Sequence, residues 1–326
     1  MALRSALHFE SSLFSKLTPP PPFTAHMAFD YALVDVFAER PLEGNQLAIF
    51  TDARGLTSQE MQAIARETNL SETTFIFPRE PEIEHERGVR VRIFTTEEEL
   101  RFAGHPTLGT ASWLYWNHPR LQGAENISLD LQVGTIPVRF SPPEPNGYGI
   151  FGTMRQNDPI FGPIQNPTDL ADVLGMRLED IDPALPIQTV TTGNPFCMVP
   201  LRSPEAAERI MVPQTESVER YLQEHRAKFF YFVTRAKADS GAQWHARMKF
   251  YNGEDPATGS AAGPAIAWLV RNGAAASGET VIFEQGVEMR RPSRLYLSAK
   301  NIGDNIGEVF VGGRTIPVAM GRLFLP

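Results

Sequence analysis

The chain has 326 residues, 42% hydrophobic and 21% charged, a globular composition long enough for two domains that each bury a core. A formal charge of −8 with no clustered Lys/Arg stripe argues against a nucleic-acid partner, whose phosphates require a basic face. A single cysteine, Cys197, excludes an intrachain disulfide and a thiolate metal cage, and no apolar run approaches the roughly 20 residues that cross a bilayer, so no membrane partner is expected.

Residues 1–27 stand apart. They carry serines, two basic residues and one acid ahead of a four-proline run at Pro19 to Pro22, which no helix accommodates. The segment reads either as an organelle transit peptide or as a disordered extension before an alternative start at Met27. The first reading implies an organellar location and the second a cytoplasmic one; both leave the segment outside the fold.

Tyr31 to Phe37 is a β-rich run, Pro41 to Asn45 supplies turn residues, and Gln46 to Phe50 is apolar again. Thr57 and Glu60 fit a capping box for a helix whose apolar face is Met61, Ile64 and Ala65. Thr73 to Phe77 and Val89 to Phe94 read as strands. Phe102 to Leu114 then reads FAGHPTLGTASWL, and Ala257 to Leu269 reads ATGSAAGPAIAWL. In each, a Trp-Leu pair begins nine residues after the glycine, from Gly104 to Trp113 and from Gly259 to Trp268. The match reaches upstream to Gly44-Asn45 and Gly193-Asn194, so the chain is a duplicated fold.

Both helices are rich in small residues, although glycine weakens a helix by about 1 kcal/mol relative to alanine. A helix threaded through a closely curved sheet supplies the packing reason. Each is followed by strands about a glycine: Ile127 to Val133 then Gly134, and Val281 to Gln285 then Gly286. Ser141 to Gly147, with three prolines, reads as a linker. The expected domains are therefore 28–145 and 146–326, with the last strand able to pack on the first domain.

Free N–H groups and the positive dipole end make each helix start, at Gly104-His105 and Gly259-Ser260, a candidate anion site. If the halves face each other, both starts point into one cleft and a small carboxylate is the natural guest. A phosphate loop at Gly253 to Ser260 is rejected, because it has no lysine, one residue too many and two acids. No G-x-G-x-x-G follows a strand, so no nucleotide cofactor is expected, and no H-E-x-x-H or paired-cysteine pattern suggests a metal. Ser260 lacks a nucleophile elbow.

The acids are not duplicated. Glu72 comes between helix and strand in the first half, where the second has Arg226-Ala-Lys228. Asp255 precedes Gly259 by four, where the first half has Leu100 before Gly104. A carboxylate at the edge of an apolar strand loses solvation and becomes a proton carrier near neutrality. The alternatives are a helix-end Glu72 paired to Arg66 and an Asx-turn Asp255. Glu97 to Glu99 reads as a solvated charge run, and His85, His118 and His225 as surface residues.

Asp35-Val-Phe37 with Gly44-Asn45, Asn69-Leu-Ser-Glu-Thr73, Ala103-Gly-His-Pro106 and Glu254-Asp-Pro-Ala-Thr-Gly-Ser-Ala261 together resemble the phenazine-biosynthesis PhzF-like isomerase family. The resemblance covers residues 30 to about 322. It implies the α+β diaminopimelate epimerase-like fold, two pseudo-symmetric halves that each wrap a barrel-like sheet around a central helix, and it implies a homodimer. It also implies that Glu72 carries a proton between carbons of a carboxylated substrate, without a cofactor. Asp255 and His105 are then the supporting catalytic residues, and Asn45, Ser71, Gly104, Gly259 and Ser260 bind substrate. Gln46 departs from the family's proline after Gly-Asn. A two-thiol racemase is excluded, since Ala103 and Thr258 stand before the two glycines and Cys197 is alone. An epimerase, a lyase or a non-catalytic carboxylate binder on the same cleft are the other readings.

Overall fold

The structure, a computed structural model, describes residues 27–144, 147–250 and 253–325. Residues 1–26 of the leader and residues 145–146 of the linker lie outside the described residues, whereas Met27 already pairs in the first strand.

The first half runs β1 (Met27–Val36), β2 (Asn45–Phe50), α1 (Ser58–Thr68), β3 (Glu72–Phe77), α2 (Pro81–Arg87), β4 (Val89–Phe94), β5 (Glu99–Leu100), α3 (Gly104–Asn117), β6 (Asn126–Leu131) and β7 (Gly134–Phe140), and past the expected boundary at 145 the next strand, β8 (Ile150–Arg155), still pairs with β7 and continues the same sheet. The second runs β9 (Ile160–Ile164), α4 (Pro167–Leu174), β10 (Gln188–Thr191), β11 (Pro195–Pro200), α5 (Pro204–Glu208), α6 (Glu216–Glu224), β12 (Phe229–Arg235), β13 (Trp244–Phe250), β14 (Gly253–Asp255), α7 (Gly259–Arg271), β15 (Val281–Gln285), β16 (Ser293–Ile302) and β17 (Asn305–Leu325).

Strand pairing repeats in order. β1–β2 is antiparallel, β2–β3 parallel, β3–β4 antiparallel and β4–β6 parallel; β10–β11, β11–β12, β12–β13 and β13–β15 follow the same sequence. Closure crosses between the halves. The far part of β17 runs along β1 from Leu325–Met27 to Thr315–Val36, while its near part pairs with β16 and then with β8. In return, β9 leaves β8 to pair with β10. Two curved sheets are thus joined into closed barrels by strands they share.

An axial helix fills each barrel, which accounts for the small residues. Gly104 to Leu114 of α3 and Ala261 to Val270 of α7 are buried without interruption. A Cβ on Gly109 would lie 2.6 Å from Leu47 Cδ2 and 2.8 Å from Val36 Cγ2, so the barrel wall touches the helix backbone there. Gly263 of α7 is pressed in the same way by the Gln156 side chain. α1 packs outside the first barrel through Met61 and Ile64 against Phe50 and Phe75, and its start carries both bonds of the Thr57–Glu60 capping box. The outer helices of the second half cover Val199, Phe230 and Phe232 with Leu170, Leu174 and Tyr221.

The two hairpins differ. Leu131 pairs with Gly134 in a tight turn, but Gln285 pairs with Ser293, leaving 286–292 as a longer loop. That loop docks on the first half: Pro292 O accepts from Gly44 N at 2.9 Å, and Arg291 reaches Asp35 at 2.6 Å and Gly44 O at 3.0 Å. The extra residues form a clamp between the halves.

Overpacking a filled core costs about 1–3 kcal/mol. Gly109→Ala is expected to lose stability of that order in chemical denaturation, while Gly193→Ala, which meets nothing within 4 Å, is expected to be neutral. Equal midpoints for the two variants would contradict the axial-helix packing.

Candidate active site

The head-to-head meeting of the two axial helices sets the site. A Cβ on Gly104 would stand 3.3 Å from the Gly259 carbonyl carbon and from Ser260 N, so only glycine lets the two helix starts come this close without displacement. No side chain caps either start. Ala103 has nothing to offer, and Thr258, a competent cap, donates its hydroxyl to Asp255 Oδ2 at 2.6 Å instead. The first amides of each helix, Gly104 and His105 on one and Gly259 and Ser260 on the other, and both positive dipole ends therefore lie at the same place.

Sheet register explains which acids reach it. α1 stops at Asn69 in the left-handed conformation, and the chain enters β3 at Glu72, opposite Leu47. In the second half the matching pair is Phe196 with Phe229, so the slot that holds Glu72 holds Phe229 there, and Lys228 takes the place of Ser71. On the other side, Asp255 sits opposite Met248 at the end of β14, where β5 has Leu100 opposite Ile93.

The two acids meet in one cluster. Asn45 Nδ2 donates across the halves to Asp255 Oδ1 at 2.8 Å and to Ala257 O at 3.0 Å, and Ser71 Oγ donates to the same Asp255 oxygen at 3.2 Å. His105 Nδ1 lies 3.5 Å from Glu72 Oε2 and 3.4 Å from Asn45 Nδ2. Both Asn45 N–H groups are already engaged, which leaves the His105 Nδ1 position to Glu72. All eight residues singled out from the sequence are at this junction: Asn45, Ser71, Glu72, Gly104, His105, Asp255, Gly259 and Ser260. Ser71 is exposed at its edge, and Ser260 is half-buried beside Gly259.

Burial governs the protonation states. Glu72, with 16% of its side chain exposed, is pushed up to about 8 by burial and secondarily by the charge of Asp255, while Lys228 pulls the other way. Asp255 is raised by burial to about 6, held back by the bonds from Thr258, Asn45 and Ser71. Burial lowers His105 to about 3, so its ring is neutral at physiological pH. At pH 7 the cluster holds a protonated Glu72, a mostly ionised Asp255 and a neutral imidazole. These are coupled groups whose titrations belong to the set.

Residues missed from the sequence complete the support. Gln285 donates to Asp255 O at 2.7 Å and to Thr258 Oγ1 at 2.9 Å, and its carbonyl accepts from Tyr231 at 2.9 Å. Thr258 lies inside the glycine-led motif and was open to detection; Gln285 and Tyr231 are ordinary strand residues with no local signal. Arg66 donates to Thr96 O and does not pair with Glu72. Glu99 departs from the expected solvated run, because β5 pairing brings it against Arg92 in a two-bond contact at 2.7 and 2.6 Å. His118 is likewise not a free surface residue, since it lies 3.3 Å from Glu84. A buried histidine absent from the sequence reading, His245, touches Glu284 and Glu288. Burial opposes its charge, but those carboxylates raise it to about 9.

The pattern of the family described as phenazine biosynthesis-like protein matches residues 34–321. The chain belongs to that family. A trans-2,3-dihydro-3-hydroxyanthranilate isomerase of Pseudomonas aeruginosa is 34% identical over 304 residues, covering 90% of this chain and 99% of the relative. Among solved structures, a phenazine biosynthesis protein of the PhzF family from Bacillus anthracis superposes with a TM-score of 0.81 at 26% identity, over 92% of this chain and 100% of that one. A predicted epimerase from Pseudomonas aeruginosa gives 0.76 at 34% identity, over 91% and 100%. Family membership makes the chain an isomerase with the diaminopimelate epimerase-like fold. Among the described residues no helix is long and apolar enough to cross a membrane.

A carboxyl group raised in the folded state binds more protons than in the unfolded chain between 4.5 and about 8. Its contribution to stability is therefore present below 4.5 and lost as pH rises through 8. Glu72→Gln removes this titration. The thermal midpoint of the variant is expected to gain on wild type between pH 5 and pH 9, and a gap independent of pH would show that Glu72 is not desolvated.

Proposed function

We propose that this family member moves a proton between carbons of a small carboxylated substrate, with Glu72 as the general acid and base and no cofactor required. The observation that carries the reading is the desolvated carboxyl group of Glu72, set beside a neutral imidazole at the junction of two uncapped helix starts.

The substrate carboxylate lies on the first-turn amides next to Gly104 and Gly259. The ionised fraction of Glu72, the minor form at pH 7 for a group near 8, takes a proton from the adjoining carbon, and the electron pair released moves into the carboxylate system, whose growing charge the amides and helix ends stabilise. Glu72, now a carboxylic acid, gives the proton back at another carbon as the double bond shifts. His105 Nδ1 holds the Glu72 carboxyl in line. Asp255, ionised and hydrogen-bonded, keeps the pKa of Glu72 near neutrality and ties Asn45 and Ser71 to the second half.

Return to the same carbon from the opposite face, as in an epimerase, needs a second free acid. Asp255 already accepts bonds from Asn45, Ser71 and Thr258, which favours a single carrier and an isomerised product.

Positioned proton transfer contributes about 10²- to 10⁴-fold. Metabolite mixtures incubated with the protein in deuterated water are expected to contain carboxylic acids that gain mass with wild type, at a rate lower by about that factor with Glu72→Gln. Exchange by the variant as fast as wild type would remove Glu72 from the role.

A further inference from the structure

A cavity of about 160 Å³ opens between α6 and the start of β12. Its walls are apolar, with Val218 and Leu222 from the helix and Phe229 from the strand, and two cations, Lys228 and Lys249, line it as well. Its position follows from the duplication. Phe229 occupies the register slot that Glu72 fills in the other half, so the cavity begins where the symmetry mate of the proton carrier would stand. Lys228 reaches toward both places: it is close enough to Glu72 to act on its charge, and its ammonium lies 5.5 Å from the centre of the Phe229 ring.

Among the described residues, each lysine has one acid at the outer limit of ion pairing. Lys228 comes no nearer than 3.8 Å to Glu98, across the cleft from the first half. Lys249 stands 4.0 Å from Glu254, but both Glu254 oxygens are already taken by Arg247 at 2.7 and 2.6 Å. Glu219, exposed on α6, is the acid among the lining residues. An apolar wall edged by two cations suits an extended carbon segment that ends in an anion.

We propose that this cavity is the distal subsite of the cleft and that it takes a second carboxylate of the substrate. The substrate is then a diacid. One carboxylate lies on the helix starts next to the bond that reacts, an apolar spacer lies along Phe229, Val218 and Leu222, and the far carboxylate lies between Lys228 and Lys249. This rests on the reading of the junction as a proton-transfer site, but it concerns binding and is measured separately.

The test is titration calorimetry at low salt with straight-chain monoacids and diacids of matched length, from four to eight carbons. Wild type is expected to bind the best-fitting diacid about tenfold more tightly than its monoacid, the gain of a partly desolvated charged contact. The Lys228→Met, Lys249→Met double variant is expected to lose that preference and keep its affinity for the monoacid. Diacids no tighter than monoacids at any length, including no binding of either, would overturn the subsite, as would a preference that survives in the double variant. A diacid preference retained in wild type together with unchanged deuterium exchange in Glu72→Gln would instead leave the subsite standing and remove the proton-transfer reading.

Discussion

The close approach of Gly104 to Gly259 is the constraint on which the molecule depends. A Cβ on Gly104 would meet backbone atoms of the facing helix at 3.3 Å, and one on Gly259 would press on the Phe37 ring at 3.1 Å, so glycine at both positions keeps the helix starts together. Bringing two positive dipole ends together is unfavourable by itself. The surrounding structure enforces it: each helix is locked inside a filled barrel, the barrels share β8 and β17, and the Arg291–Asp35 pair clamps the loop before Asn45. An anion at the junction relieves the repulsion, and the ionised Asp255 carboxylate is already placed there.

Chemistry enters where the duplication is broken. The same register position holds Glu72 in one half and Phe229 in the other, and the same approach to the helix holds Leu100 in one half and Asp255 in the other. Symmetric acids would place four carboxyl groups around one cleft, each raising the pKa of the others. One acid from each half gives a protonated group and an ionised one at pH 7, and a neutral His105 adds no competing charge. Burial, with the charge of Asp255 second, sets Glu72 near neutrality.

The sequence carried much of this, for identifiable reasons. The apolar runs at β2, β3 and β4 and the Thr57 capping box are local signals, and local signals survive into the fold. The small-residue helices announce a confined axis because glycine has no other reason to be there. The last strand's packing on the first domain was an expectation of the sequence, but closure by β8 and β9 was not legible, since which strand seals a barrel depends on partners far away in the chain. The loop at 286–292 reads as a hairpin turn until its docking partners are known. Gln285, Tyr231 and His245 act through bonds between strands far apart in the chain, and nothing in their neighbours marks them.

The central claim is that this fold holds one carboxyl group protonated at neutral pH beside an ionised one. Carboxyl-carbon NMR titration of the free protein, with Glu72 and Asp255 assigned by substitution, measures it directly. The account predicts a midpoint near 8 for Glu72 and near 6 for Asp255, with the Glu72 midpoint falling in Asp255→Asn because a neighbouring negative charge has been removed. A Glu72 midpoint near 4.5, unmoved by that substitution, would contradict it.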